Sequence, residues 1–191
     1  DGSYMPCFLV GKACAQAVAL ARGTTPVFTT HQQGHVAAAL YAANEPSLWK
    51  KESIVFHISG GTTEMLLCRG YEVLSVLGGS EDLYAGQAVD RVGVRLGFPF
   101  PAGQYVSELA QKWGEPVRPK VSVRGMNCSL SGLENQCDAL MKKEAPAEQV
   151  AHYCLSYIAQ TVLKMIQNAR ELYPGLPVVC AGGVMSSDVI R

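Results

Sequence analysis

The sequence predicts a mixed α/β fold, and three observations carry that prediction. Residues 54–58 (IVFHI) form a short β-branched and aromatic run, the composition of a strand buried on both faces of a sheet. Residues 147–172 carry a continuous apolar stripe at helical spacing, through Ala151, Cys154, Leu155, Ile158, Val162, Met165, Ile166 and Ala169. Residues 178–181 form a second buried run of the parallel type, and Gly182-Gly183 turns it toward a final helix. Strand clusters with helices between them make an α/β domain.

The elements follow in order. Residues 8–22 are alanine-rich, with Phe8, Val10, Cys14, Ala17, Val18 and Ala21 near helical spacing, and Gly23 ends the run. Residues 26–30 read as a short strand, and residues 31–44 as a second alanine-rich helix stopped by Glu45-Pro46-Ser47. After the strand at 54–58, the small residues Ser59-Gly60-Gly61-Thr62-Thr63 make a turn, and residues 65–68 return as its partner strand. Residues 71–77 add a third strand closed by Gly78-Gly79. A helix is expected over 83–96, a rigid proline loop over 97–103, and a short helix over 105–113. A polar link runs to Lys120, and Ser129 is placed to cap a helix over 130–143. Residues 53–125 hold the sheet and its following helices; 191 residues fit one compact domain or two small ones, no separable linker shows within 1–191, which reads as the central part of a domain, and no internal repeat is visible.

Composition narrows the function classes. Lysine and arginine balance aspartate and glutamate at 16 each, so no broad electrostatic footprint on nucleic acid is present, although RNA could still be held through a partner subunit. No apolar run has the length to cross a bilayer, and no signal-peptide pattern opens the chain. The seven cysteines form no C-x-x-C pair and lie mostly in apolar segments, as expected of reduced thiols in a cytoplasmic protein. The turn-like start and the abrupt stop at Arg191 suggest a piece of a longer protein.

Four constellations could carry chemistry. Ser59-Gly60-Gly61-Thr62 is either a plain glycine hairpin or a turn whose backbone admits an anion. His31 and His35, in HQQGH, stand one helical turn apart, where two imidazoles can share a metal or simply pack. Gln32 occupies the position at which the zinc-peptidase motif H-E-x-x-H has its general base, which removes that reading. His57 and His152 lie within apolar segments and read as satisfied core histidines. Asp82, Gly86 and Asp90 fall on one helical stripe, either to bind ribose hydroxyls or as a solvated helix edge. Ala181-Gly182-Gly183-Val184 is a fourth, weaker candidate, which could present backbone N–H groups to a nucleotide.

Taken together and in this order, these segments resemble the TsaD/Kae1-type family, also known as O-sialoglycoprotein endopeptidases or glycoproteases. HQQGH is similar to its H-x-x-G-H, ISGGTTEML to S-G-G-H-T-x-L, and DLYAGQAVDR to D-x-A-x-G-x-x-x-D-K. FPFPAG is similar to the Y-P-G-G loop, NCSLSGLE to F-S-F-S-G-L-K, and AGGVMSSDVIR to G-G-V-x-x-N-x-x-L-R.

The resemblance implies an ASKHA fold, the actin-like, sugar-kinase and Hsp70 architecture of two lobes around a nucleotide cleft. This chain is expected to lack the first strands and the C-terminal end of that fold. It implies transfer of threonylcarbamoyl from threonylcarbamoyl-AMP to N6 of adenosine 37 in tRNA, with tRNA met through a complex of pathway proteins, and a possible homodimer. It implies His31 and His35 as ligands of a divalent metal, iron or zinc. It places Ser59, Gly60, Gly61 and Thr62 on an adenine nucleotide or acyl-adenylate, with Asp90 and Gly103 on its ribose and base side and Ser187 as a further binding residue. The chain departs from the pattern at Thr62 (His in the family), Ala102 (Gly) and Ser187 (Asn). These departures keep a non-catalytic nucleotide-binding or scaffolding paralogue open as the alternative. The metallopeptidase of the old family name is a lesser one, because neither Gln32 nor Gln33 supplies a carboxylate.

Overall fold

A computed structural model describes residues 5–191, with side chains from residue 9 onward. Two compact units are present, the first extending to His31 and the second running Gln32–Arg191. In the first, α1 (Met5–Arg22) ends where Gly23 takes a positive φ of 62° and Thr24 N–H donates to the Ala19 carbonyl at 2.9 Å. Residues 24–30 form neither helix nor strand, against the strand expected over 26–30. β-Branched composition makes a strand only where a partner supplies the ladder, and Pro26 removes one donor.

The second unit is built on a four-stranded sheet. β1 (Glu52–Ile58) runs antiparallel to β2 (Thr63–Arg69) and parallel to β6 (Val178–Ala181), while β3 (Glu72–Gly79) forms the other edge. Every β1 residue after Glu52 is buried. Strand alternation then divides the core in two. Ile54, Phe56, Ile58 and Met65 face the helices α3 (Ala85–Arg95), α4 (Gly103–Ala110), α5 (Ser131–Met141) and α6 (Ala147–Leu172). Val55, Leu66 and Cys68 face the opposite way, toward Val36, Ala39 and Leu40 of α2 (His31–Ala43) and Leu48 of a short 3₁₀ turn.

Several boundaries move from their expected places, each for a tertiary reason. The helix expected from 83 begins at Ala85, so Asp82 lies outside it and the 82/86/90 stripe is not a single helix face. The carboxylate of Asp82 is instead spent on the start of α5. It accepts from Leu130 N–H at 2.7 Å, Ser131 N–H at 3.1 Å and Ser129 Oγ at 2.6 Å. Ser129 therefore does not cap α5 itself; a residue nearly fifty positions earlier does. A two-stranded ribbon, β4 (Ser122–Arg124) with β5 (Asn127–Ser129), was not expected between the polar link and α5. Beyond β6 the chain enters a 3₁₀ turn, Gly183–Ser186, in place of the expected helix.

The proline loop before α4 contains a cis peptide bond between Phe100 and Pro101. No helix among the described residues is long and apolar enough to cross a membrane. The described cysteines are free thiols, four of them buried; the side chain of Cys7 lies outside the described residues.

Candidate functional site

The turn after β1 is tight and is fixed from both sides. Ser59 N–H donates to the Thr62 carbonyl at 2.7 Å, and Gly61 N–H donates to Ser59 Oγ at 3.3 Å. The first turn of α3 docks on it: Ala85 N–H donates to Thr63 Oγ1 at 2.8 Å and Gly86 N–H to the Ser59 carbonyl at 3.1 Å. A Cβ at Gly86 would stand 2.6 Å from Gly60 Cα, so glycine is required there. Gly60 and Gly61 differ: neither has a positive φ, and nothing lies within 4 Å of where their Cβ atoms would be. Packing does not call for glycine at these two positions, whereas close approach of a ligand to the backbone would.

That turn forms one rim of a cavity of about 660 Å³ in the second unit. Gly86, Val89 and Asp90 of α3 line it, with Pro101, the polar face of α4, Leu155 of α6, and Gly183, Ser186 and Ser187 after β6. Asp90 ties α3 to α4, since its Oδ1 accepts from Ala102 N–H at 2.7 Å and from Gly103 N–H at 3.1 Å. Ser187 is 6% exposed and its Oγ accepts from Ser107 Oγ at 3.0 Å, a contact spanning 80 positions of sequence. Asp90 and Glu108 are the charged groups of the wall. A wall of carboxylates, hydroxyls and open backbone suits a ligand rich in hydroxyl and N–H donors, such as a nucleoside.

The departures at 102 and 187 take on physical meaning here. Ala102 is fully buried with its Cβ against Gly93, so its methyl faces α3 and not the cavity. Ser187 does reach the cavity, as a hydroxyl paired with Ser107.

A second cavity, of about 610 Å³, adjoins the first and shares Ser186 with it. Its wall includes His35 and a file of α2 alanines, His57 of β1, and Gly182 at the end of β6. His57, in phase with Val55, faces α2, and its ring packs against His35 with centroids 4.2 Å apart and the planes tilted by 31°. Gln32, at the peptidase general-base position, donates to Glu64 Oε2 at 2.8 Å.

Of the residues singled out from the sequence, Gly60, Asp90, Gly103 and Ser187 therefore share one cavity. Ser59 and Thr62 shape its rim, Gly61 stands beside it, and His35 lies in the neighbouring one. The histidine that packs against His35 is His57, which the sequence reading left in the core. His152 is satisfied as expected, with Nδ1 3.1 Å from the Ala110 carbonyl oxygen. His31 opens α2 and belongs to the first unit. Among the described residues no three or more His, Cys, Asp or Glu side chains cluster as metal ligands, so a metal on His31 and His35 would need donors from beyond them.

Beyond Gly103, the α4 contribution from Gln104, Ser107 and Glu108 was missed, although its signal is present. Gly103, Gln104, Ser107 and Glu108 fall on one helical face, opposite the buried Val106 and Ala110.

A family model described as TsaD, tRNA N6-adenosine threonylcarbamoyltransferase, matches residues 2–191. The chain belongs to the TsaD family. Curated TsaD relatives carry the same description. The protein from Anaeromyxobacter dehalogenans is 33% identical over 96% of this chain and 57% of its own length. That from Geobacillus kaustophilus is 31% identical over 96% of this chain and 55% of its own. The chain thus spans about half the length of the curated relatives it matches.

Among solved structures, full-length HypF in its phosphate- and nucleotide-bound form superposes with a TM-score of 0.69 at 11% identity, over 86% of this chain and 37% of that one. The activator of 2-hydroxyisocaproyl-CoA dehydratase from Clostridium difficile, with bound ADPNP, gives 0.55 at 13% identity, over 82% and 53%. Both are ASKHA-type proteins, and at these identities the likeness establishes the fold: this TsaD-family chain has the ASKHA architecture expected from its motifs.

Proposed function

We propose that the first cavity holds the nucleoside of an adenylate, and that the protein acts in transferring threonylcarbamoyl from threonylcarbamoyl-AMP to N6 of adenosine 37 in tRNA. One observation carries this reading: in a chain of the TsaD family, Gly60, Asp90, Gly103 and Ser187 come from four separate segments to line a single cavity.

The residues have distinct roles in this reading. Asp90 gives Oδ1 to the start of α4, while its Oδ2 accepts no hydrogen bond among the described residues and is available to a ribose hydroxyl. The open backbone at Gly60 and Gly61, held by Ser59 and Thr62, lets the ligand lie against peptide groups. The hydroxyls of Ser107 and Ser187 and the bare Gly103 meet the base and sugar from the other side.

In the transfer, N6 of the adenine attacks the carbamoyl carbon of the mixed anhydride. The bond from that carbon to the phosphate oxygen breaks, AMP leaves with the electron pair, and N6 releases one proton. The protein contributes position, holding the nucleoside against the wall that carries Asp90 and Glu108.

His31 and His35 would supply two donors to a divalent metal, iron or zinc, which when bound supplies Lewis acidity toward carbamoyl and phosphate oxygens. tRNA, other threonylcarbamoyladenosine-pathway proteins and a second copy of the chain are the proposed partners, in the cytoplasm.

The test is incubation with threonylcarbamoyl-AMP, tRNA and the pathway proteins, read as the modified nucleoside by mass spectrometry. Modified adenosine is the expected result. Adenylate binding without any transfer, with a known enzyme working alongside, would sink the transferase reading and leave a nucleotide-binding scaffold.

A further inference from the structure

An aromatic pair stands at the mouth of the first cavity. Tyr105 belongs to the first turn of α4 and lines the cavity wall with Pro101. Its ring lies nearly parallel to that of Phe98, with centroids 5.4 Å apart and planes 9° from each other. Phe98 packs against the main core, so it serves as a fixed backing. One face of the Tyr105 ring is therefore covered, while the residue as a whole stays 43% exposed. A ring backed on one side and open toward a cavity is a stacking surface whose orientation costs little to fix.

The charge of the wall narrows what stacks there. Asp90 and Glu108 are its charged groups, and among the described residues no cationic side chain lines it, so a phosphate finds no partner at this mouth. Glu108 stands one turn from Tyr105 on α4. Its Oε1 accepts from Gln104 Nε2 at 2.9 Å, and it forms no ion pair among the described residues. Oε2 is left to accept from a ligand. A flat π face beside a free carboxylate oxygen fits a nucleobase that carries an amine, since the ring can stack while the carboxylate takes an N–H.

We propose that Tyr105, backed by Phe98, and Glu108 are positioning residues that seat an unpaired adenine of the RNA at the mouth of the first cavity, its ring on Tyr105 and its N6 amine on Glu108. This inference rests on the transfer reading and goes beyond it. The adenylate's nucleoside lies at Asp90 and Gly103, and the mouth receives the second base, whose amine is the attacking group. Unpaired RNA bases are recognised in this way, by aromatic stacking combined with hydrogen bonds to their edges. With lysine and arginine balanced by aspartate and glutamate, base contacts and not phosphate contacts hold the RNA here.

The experiment measures binding of the labelled RNA UUUAUUU to the chain by fluorescence polarisation with AMP present, and AMP binding separately by calorimetry. A second RNA carries unsubstituted purine in place of the adenine, so it lacks the amine alone. Tyr105→Ala should weaken binding of UUUAUUU by about fivefold to a hundredfold, the range of one base–aromatic stack, and Tyr105→Phe should restore it. Wild type should prefer adenine over purine by about tenfold, and Glu108→Ala should erase that preference. AMP affinity should be the same in all of these proteins. Tyr71→Ala, which removes an exposed aromatic between β2 and β3, should bind both RNAs as wild type does. RNA binding unchanged by Tyr105→Ala, or no RNA binding by wild type, overturns the inference. So does a joint loss of AMP and RNA in Tyr105→Ala, which would give the aromatic pair to the adenylate's own base. An adenine preference that survives Glu108→Ala overturns the part assigned to Glu108. Failure of AMP to bind, with the RNA effects intact, instead sinks the adenylate reading and leaves the stacking seat standing. Circular dichroism will verify that the variants keep the fold.

Discussion

Replacing Gly86 with alanine tests whether the seat of α3 on the 59–62 turn builds the first cavity. A Cβ there would sit 2.6 Å from Gly60 Cα, 2.7 Å from Gly60 N and 3.0 Å from the Ser59 carbonyl carbon. Carbon atoms in contact stand about 3.5–4.0 Å apart, so α3 or the turn must retreat by about 1 Å. All three obstructing atoms are backbone, and no side-chain rotation relieves them. Overpacking of this kind costs about 1–3 kcal/mol, against about 1 kcal/mol gained because alanine favours the helix. The expected net loss is about 0–2 kcal/mol, read as a lower urea midpoint. The same displacement strains the bonds from Ala85 N–H to Thr63 Oγ1 and from Gly86 N–H to the Ser59 carbonyl, so adenosine affinity should fall more than stability alone explains. Gly60→Ala is the contrast: its Cβ enters open space, so it should fold as well as wild type while obstructing the ligand. A Gly86→Ala protein as stable as wild type, with full adenosine affinity, would refute the reasoning.

Further outcomes follow from other positions. Gly182→Ala should cost about 3 kcal/mol or more, because its φ is 108° and its Cβ would lie 2.1 Å from the Ile58 carbonyl oxygen; thermal denaturation will measure it. Partial burial pushes the Asp82 carboxyl up, but hydrogen bonds from Ser129, Leu130, Ser131 and Leu83 outweigh it and hold the group well below the usual carboxylate range. A depressed folded pKa gives stability that is complete above the unfolded value near about 4 and is lost as pH falls below it. Asp82→Asn should therefore lose about 1 kcal/mol at pH 7, by analogy with a lost helix cap, and flatten the acid limb of stability against pH in urea titrations at pH 7 and pH 3. Burial raises the thiols of Cys68 and Cys128 to about 11, so alkylation at pH 8 followed by peptide mass spectrometry should modify the exposed Cys14 well before either. Asp90→Ala should release the start of α4 and cost about 1–2 kcal/mol, whereas Asp90→Asn keeps an acceptor for Ala102 and Gly103 and should cost less in the same urea assay.

The sequence by itself determined the sheet strands, the long helix and the family, because each rests on local pattern: β-branched runs, an apolar stripe at 3.6 spacing, and six motifs in order. It marked Gly60, Asp90, Gly103 and Ser187, though not that they share a wall. Only the tertiary structure decided how Asp82 is used, since its partners Leu130 and Ser131 lie 48 and 49 positions away and no window of local sequence contains both ends of that contact. The same holds for His57, whose neighbour His35 is brought to it by strand alternation and the seat of α2, not by spacing within HQQGH. The ribbon β4/β5 escaped notice because three-residue strands carry too little periodicity to announce themselves, and pairing makes them. Periodicity fixes which face of an element is buried, whereas long-range packing fixes which other element that face meets, and the division between the two cavities is of this second kind.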